Sequence, residues 1–577
     1  MIIQSLVKYY SRLTSESAPN LPPFGFSREK IHYALVLDTE GRLVQAPKKL
    51  SEDKKGMELI VPRAVKRSSN VAANFLWDKT DYVLGAAKKD NLERLCKCHA
   101  EFIKIFDSVL CDIYEEDAGL RAIKLFLNSW QADFVGAWPE WSEIAGKNLV
   151  FQLDGRTEWI HQTPLAIKAW GAAFERRSDS NPVAFCLDSG QRERAEILHG
   201  DIKGGWKDQS DAAIASFNLN AFESYGHEQC LNAPMSTSGE FAYVTALNYL
   251  LRWGSRQRIQ IGDATTVFWT DRDSPIEGMF GQVLNPIDKD VPALRILLDS
   301  ARKGDPLPDD IDARVRFYVL GLSPNVSRLA VRFWYMSDVG QLMAKIGRHY
   351  AALQIDKPFD NDFEFIPVWR LLQVTAVREK SDNVQPLLAG ALVRSILEGT
   401  RYPETLLAVV LERIRAEQAE KDKKGKPVPN VSYARAALIK ALLIRNHNRE
   451  VSMSLDKSND DPGYCCGRLF GVLELIQEKA QPGINSTIRD RFYGGASSTP
   501  RTVFPNLMGL KNHHLAKMQE KGLVYFYEGL LGEIVDKLGS QFPAHLNLVQ
   551  QGSFAIGYYH QRQNIFKGKE KKEEVLA

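Results

Sequence analysis

Three stretches of this chain carry side chains suited to gripping a nucleic acid. Lys66-Arg67-Ser68-Ser69-Asn70, with Asn74 four residues on, combines cations, hydroxyls and amides. Cations hold a protein on a phosphate backbone, and amides can read base edges. Lys203-Gly204-Gly205-Trp206-Lys207 is a glycine-rich loop in which Gly204 and Gly205 let backbone approach a groove, with Lys207 beside them. In both stretches an ordinary surface turn would use the same residue types. The third stretch lies near the C-terminus. Arg489-Asp490-Arg491-Phe492-Tyr493-Gly494-Gly495 mixes guanidinium and aromatic planes that can stack on unpaired bases. A helix-connecting loop with an Asp–Arg pair is the plainer reading. Ser497-Ser498-Thr499, before a helix start, can cradle a phosphate or simply cap the helix. His513 and Lys517 sit on a helical stretch with Lys511, which suits backbone contact or plain solvation.

Catalytic signatures are sparse. There is no phosphate loop ending in Gly-Lys-Ser/Thr, no His-Glu-x-x-His and no nucleophile elbow. Cys96-Lys97-Cys98-His99 has the wrong spacing for a structural zinc pair and falls on a helical stretch, where buried thiols explain it. Cys465-Cys466 and His513-His514 invite a thiol–imidazole reading, yet vicinal cysteines on a helix point to different faces. Asp461, before Pro462, reads as a helix cap rather than a metal ligand. The expectation is a protein without catalytic residues, metal or cofactor.

Composition sets the frame for those stretches. At 577 residues, 44% hydrophobic and 25% charged, the chain reads as a globular protein of several domains. No apolar run reaches membrane-spanning length, and the first residues lack a signal-peptide pattern. Seven cysteines do not make a disulfide framework, so a reducing cytoplasm is expected. The net charge of +3 is unevenly spread. Residues 1–105 hold 18 Lys/Arg against 12 Asp/Glu, while the remainder is slightly acidic. A basic patch at the N-terminal end could meet phosphates, although a solvated mixed face has the same composition.

The elements that must position these residues follow from periodicity. An α+β fold is expected, with a mixed α/β N-terminal portion and a mainly helical C-terminal half ending in a four-helix bundle. Strands are read at Ile31–Leu37, at Leu43-Val44, at Leu59–Val61 before Pro62, at Asn148–Leu153, at Pro182–Cys186 and at Thr265–Trp269. A helical pattern runs from Asn91 to Leu127. The divisions are 1–145, 146–285, 286–452 (helical) and 453–577 (the bundle), with an exposed linker at Lys421–Pro427 and a frayed charged tail from Lys567. In the last division Asp461-Pro462 and Thr499-Pro500 open helices, and Pro482-Gly483 stops one.

A set of short stretches, in order, completes the reading. They are Arg67-Ser68-Ser69-Asn70 through Asn74-Phe75-Leu76-Trp77-Asp78, Tyr82-Val83-Leu84-Gly85, Ser216-Phe217-Asn218 through Ala221-Phe222-Glu223-Ser224-Tyr225-Gly226, and Asn232-Ala233-Pro234. Leu322-Ser323-Pro324-Asn325, Arg332-Phe333-Trp334, Tyr464–Phe470 and Ile488–Arg491 follow. On these stretches the chain resembles the large-subunit family of subtype I-C CRISPR Cascade over essentially its whole length. It departs from that pattern at Gln209-Ser210-Asp211-Ala212, where the Asp211 carboxylate disfavours direct phosphate contact.

The resemblance implies a binding protein rather than an enzyme, at the 5′-handle end of a crRNA-loaded complex. Its implied partners are crRNA, double-stranded target DNA, the backbone and handle-binding Cascade subunits, and a separate helicase–nuclease recruited after R-loop formation. It also implies a small subunit translated from the 3′ part of the same gene; Met453, just before the first bundle helix, is the candidate start, with the nearby Val451 codon or no internal start as the alternatives. The implied task is to recognise the protospacer-adjacent motif and begin strand separation while base pairing reads the target. Lys66, Arg67, Ser68, Ser69, Asn70 and Asn74 are then the motif readers, helped by Gly204, Gly205 and Lys207. Arg489, Arg491, His513 and Lys517 are the contacts to displaced strand or heteroduplex backbone. The competing readings are a metal-dependent nuclease of the same defence system and an architectural scaffold without motif reading.

Overall fold

The computed structural model describes the chain except residues 54–55, 68–70, 89–90, 205, 207–211, 218, 287–291, 326–327, 418–428, 485 and 577, and the side chains of 386 and 568–576. The expected linker at 421–427 lies outside the described residues. The chain forms two compact units, Met1–Ser255 with Pro324–Ala330, and Arg256–Ser323 with Val331–Ala577. The fold is α+β, with helices concentrated in the C-terminal half.

The first unit is built on a small mixed sheet. Strand β1 (Phe26–Ile31) pairs antiparallel with β4 (Met57–Pro62). A separate four-stranded sheet has the order β3-β2-β6-β5, from β3 (Lys48–Lys49), β2 (Tyr33–Leu37), β6 (Asn148–Leu153) and β5 (Trp77–Lys79). The single strand expected at 31–37 is therefore split at His32, so that its two ends serve different sheets. The expected return strand at Leu43-Val44 is reduced to an isolated bridge between Leu37 and Leu43. Gly41 (φ +76°) turns the chain there, and a Cβ on it would meet the Phe126 backbone nitrogen at 2.6 Å.

β2 and β6 run parallel, so a crossover must join them. The helical pattern read from Asn91 supplies it as α1 (Leu92–Leu110) and α2 (Ala118–Ser129). Phe102, Phe106, Ile123 and Phe126 pack there with Leu35, Leu37 and Phe151 of the sheet. Helices α3 (Pro164–Arg176) and α4 (Thr237–Leu251) complete the unit, and Phe174 and Phe241 meet edge to face at 6.0 Å. α4 is buried on nearly every side, including Glu240.

The second unit opens with a surprise for the sequence reading. Residues past Pro286 were expected to be helical, yet β11 (Arg316–Asn325) and β12 (Arg328–Asp338) form a long hairpin. With β9 (Arg258–Ile261) and β10 (Ala264–Thr270) they make a sheet of order β12-β11-β10-β9. In the first unit β7 (Val183–Phe185) and β8 (Arg192–Arg194) pair antiparallel as a two-stranded sheet. Phe317, Tyr318, Val319 and Leu320 are the β-favouring residues that the helical reading passed over.

The helices of the second unit share one apolar core that runs from Ile261 to Ile565. Those that matter below are α5 (Thr405–Ala416), α6 (Tyr433–His447), α7 (Pro462–Ala480), α8 (Ile488–Ser498), α9 (Pro500–Ala516), α10 (Lys521–Leu538) and α11 (Leu548–Leu576). Among the described residues the last 125 positions thus hold five helices, one more than expected. α8 was read as a loop because Gly494 and Gly495 mask it, but Thr487 and Asp490 form a capping box that starts it. The charged tail continues α11 to Leu576.

α7 is buried all round and lies against α11 at backbone contact. A Cβ on Gly467 would stand 2.0 Å from the Phe554 carbonyl oxygen, and one on Gly557 would stand 2.1 Å from that of Tyr464. Only glycine permits that approach. Glu474, fully buried on α7, accepts from Tyr558 (2.6 Å) and Arg562 (2.8 Å) of α11 and from Thr487 (2.9 Å). Gly467→Ala is therefore expected to lower unfolding stability by about 1–3 kcal/mol or more through overpacking. Gly509→Ala, on α9 with nothing within 4 Å, is expected to be neutral or stabilising by up to about 1 kcal/mol. Denaturant unfolding of the two variants checks the contrast.

Candidate nucleic-acid interface

The loop after β4 is pinned at its base from three directions. Asn74 accepts the Val65 N–H through its side-chain oxygen at 2.9 Å. The Arg67 guanidinium donates to the Ala72 carbonyl at 2.6 Å and forks onto both oxygens of Asp78. It also lies 3.9 Å over the Tyr82 ring. Asp78 in turn accepts the Asn74 and Lys79 N–H groups, each at 2.8 Å. The tip that these bonds close, Ser68, Ser69 and Asn70, lies outside the described residues.

This geometry gives the expected readers different positions. Asn74 is 4% exposed and its oxygen is already used, and Arg67 is committed to a buried carboxylate. Both are thus engaged within the base of the loop. Lys66 remains half-exposed, with its ammonium 2.8 Å from Asp201 and 3.5 Å from the His199 carbonyl.

That contact brings the second predicted stretch beside the first. Residues 199–204 are fixed to α4. Gly200 donates to Glu240 at 2.7 Å, His199 bonds the Tyr243 hydroxyl at 2.7 Å, and Lys203 donates from its backbone to Asn248 at 2.7 Å. Arg63, at the start of the loop, forks onto Glu240 at 2.7 and 2.8 Å. Burial opposes ionisation of Glu240, but Arg63 and the Gly200 N–H outweigh it and hold the carboxyl below its ordinary range. Gly204 is buried beneath Trp206, whose ring a Cβ would meet at 2.2 Å, so it does not stand open to a groove. Gly205 and Lys207 lie outside the described residues, as do Gln209–Asp211.

The third stretch belongs to the second unit. Arg489 is 7% exposed, with its Nε 3.7 Å from Glu474 Oε1. It is part of the bundle interior rather than a surface cation. The hydroxyls of Ser497, Ser498 and Thr499 bond back to the Gly494 and Gly495 carbonyls, so they make no cradle at the next helix. Arg491, His513 and Lys517 are exposed. α9 carries no acidic residue, and it also exposes Arg501, Asn506 and Asn512.

The thiol–imidazole pair has no support in this geometry. Cys465 donates to the Asn459 carbonyl, and Cys466 is pushed up to about 12 by burial and then by its neighbours Cys465 and Asp461. Cys98 is buried in the core, while His99 bonds the Tyr82 carbonyl at 3.0 Å. Among the described residues no group of three His, Cys, Asp or Glu side chains converges as a metal site, and no helix is long and apolar enough to cross a membrane.

Comparison with known proteins adds one decisive match. The profile of a CRISPR-associated protein family, Cas_Csd1, covers residues 6–566. The chain belongs to the Cas_Csd1 family. No curated protein matches it. For this family member, the residues that sequence reasoning missed are Arg63, Asp78 and Glu240. Each is a lone charge in sequence, with nothing in its spacing to show that a partner waits up to 177 positions away.

Asp78 supplies a pH test of the loop clamp. Burial raises its carboxyl above the ordinary value, and Arg67 opposes that rise. Arg67→Ala removes the opposition and leaves a buried carboxylate unpaired, a loss of about 3 kcal/mol at neutral pH. In the variant the folded-state pKa climbs further above the unfolded one. Its stability is then best below the unfolded pKa and falls as pH rises through the folded one. The stability difference from the parent chain should widen between mildly acidic and neutral pH, as read by thermal unfolding. A constant difference would contradict the clamp.

Proposed function

We propose that this chain is the large, DNA-recognising subunit of a subtype I-C Cascade complex, acting by binding and not by catalysis. The observation that carries the reading is the shared mounting of the Lys66 loop and the 199–204 segment. Arg67–Asp78 fixes one and Glu240 fixes both, within the described residues of the first unit. The described base of the loop, residues 63–67 and 71–79, is held by these bonds, and a loop base that is already fixed loses little freedom on binding a short duplex motif. The base-reading groups are Ser68, Ser69 and Asn70, and Lys66 takes a phosphate once it leaves Asp201. Arg67 and Asn74 position them.

The basic face of α9, with Arg491 of α8, then meets the backbone of a displaced strand or of the guide heteroduplex. Guide pairing reads the target, and a separate helicase–nuclease degrades it. A guide-loaded complex assembled with and without the chain tests this at fixed salt. Its affinity for matched duplexes should fall on scrambling the adjacent motif only when the chain is present. Within the chain, Asn70→Ala should cost about 1–3 kcal/mol of motif preference. Unchanged discrimination without the chain would leave a scaffold, and metal-dependent cleavage by the isolated chain would leave a nuclease.

A small subunit beginning near Met453 is part of the same proposal. Met453 lies in the segment before α7 and is half-exposed. Such a product would lack α5 and α6, whose Leu407, Ile439 and Leu443 cover α11 at Gly552. It would therefore present an apolar strip suited to a neighbouring subunit. Intact-mass measurement of the purified complex should show a second product starting near residue 453. A complex containing only the full chain would remove this part.

A further inference from the structure

The basic excess of the first 105 residues has a location that the loop at Lys66 does not account for. The terminal rung of the β3-β2-β6-β5 sheet continues the pairings Tyr33–Lys49 and Lys79–Asn148. His32 stands at its centre, donating to Asn148 and accepting from Leu50, both at 3.0 Å. Asn148 reaches back to the Lys30 carbonyl at 2.9 Å. Lys49, Lys30, Lys147 and Lys79 thus stand along one end of the sheet, although they are scattered over more than a hundred positions in sequence. Four strands span about 14 Å at that rung.

The charges there are largely uncompensated. Among the described residues Lys30, Lys79 and Lys147 have no acidic partner within ion-pair distance. Lys49 has only Glu52 at 3.8 Å, and Glu52 is fully exposed, so that pair is weak. Glu58, opposite Lys30 on β4, is engaged by Arg28 at 3.5 Å. Glu143 and Glu140 lie close enough to act on Tyr33, yet among the described residues neither stands within ion-pair distance of one of these lysines. Burial, then Lys147 and Lys30, push the His32 ring below its ordinary pKa, and its buried Nδ1 has no hydrogen-bond partner among the described residues.

We propose that this end of the sheet is a second binding surface for a nucleic-acid phosphate backbone, separate from the Lys66 loop. The lysines supply point charges to successive phosphates. The surface reads no sequence, because it offers charge along a backbone and no array of amides. It rests on the nucleic-acid reading of the chain but not on motif discrimination by the loop.

The test uses the purified full chain with three fluorescent probes, a single-stranded DNA, the same sequence as RNA, and its duplex, each titrated over a series of KCl concentrations. The triple variant Lys30→Gln, Lys79→Gln, Lys147→Gln removes charge while keeping chain length. Its affinity should drop about tenfold or more at moderate salt, and for single strands its salt slope should flatten by about 2, near 0.7 for each lost phosphate contact. The probe that loses most identifies RNA or DNA as the occupant. In the guide-loaded complex the ratio of intact to scrambled motif binding should stay as in the parent, whereas Lys66→Gln acts at the loop. A folded triple variant with unchanged affinity and slope on all three probes would overturn the proposal. If the triple variant unfolds, Lys79→Gln alone should show about a third of the slope change, and no change there would overturn it equally.

Discussion

The first unit depends on one buried carboxylate. Asp78 is 1% exposed and accepts the two arms of Arg67 and the backbone N–H groups of Asn74 and Lys79. A carboxylate taken out of water is costly unless its lone pairs are filled, and here four donors fill them. The arrangement ties three things at once. It closes the loop between Val65 and Asn74, fixes the start of that loop's return to β5, and sets Lys79 at the end of the sheet. Burial raises the carboxyl above its ordinary value, and Arg67 first, then the Asn74 and Lys79 N–H groups, oppose that rise. The stacking of Arg67 on Tyr82 keeps that guanidinium in register with both oxygens.

The second unit solves a different problem, that of packing a helix with helices around it. α7 has no solvent face for most of its length, so it cannot be amphipathic in the usual way. Its polar residues are instead paired inside. Arg468, fully buried, donates to Gln561 at 3.0 Å and Glu533 at 2.8 Å, and Glu474 gathers Tyr558, Arg562 and Thr487. Glycine at 463, 467 and 557 lets the α7 and α11 backbones touch, which shortens the distance these side chains must span. Pairings of this kind favour a single register, since sliding by one turn would strand several charges, even though Arg468 Nη1 and Gln561 Nε2 have no hydrogen-bond partner among the described residues.

The sequence was informative where local chemistry decides and silent where distant pairing decides. Asp461 caps α7 at 2.9 Å and Pro462 follows it, as the residue types imply. β6, β4 and β10 lie where β-branched runs placed them. The hairpin at 316–338 was missed because its apolar run, buried on both faces, lacks the alternation that separates strand from helix. α8 was missed because its glycines imitate a loop while its capping box does the starting. Of the site, the types at 66–74 and 203–204 drew attention to segments that do meet. Which of those residues face outward was not legible, because Arg67 and Asn74 look identical in sequence whether they read bases or brace a turn.

The same ambiguity explains why charge counts alone could not find the lysine row. An excess of six cations over 105 residues fits a solvated face as well as a binding surface. What separates the two is whether acids stand between the cations. In the helices of the first unit they do, as with Lys97 on Glu93 and Lys104 on Glu101. At the end of the sheet the strand order brings Lys30, Lys49, Lys79 and Lys147 together, and among the described residues only the exposed Glu52 stands within ion-pair distance of one of them. Mutual repulsion of unpaired cations is a standing cost to the folded chain, and a polyanion is the partner that turns that cost into binding free energy.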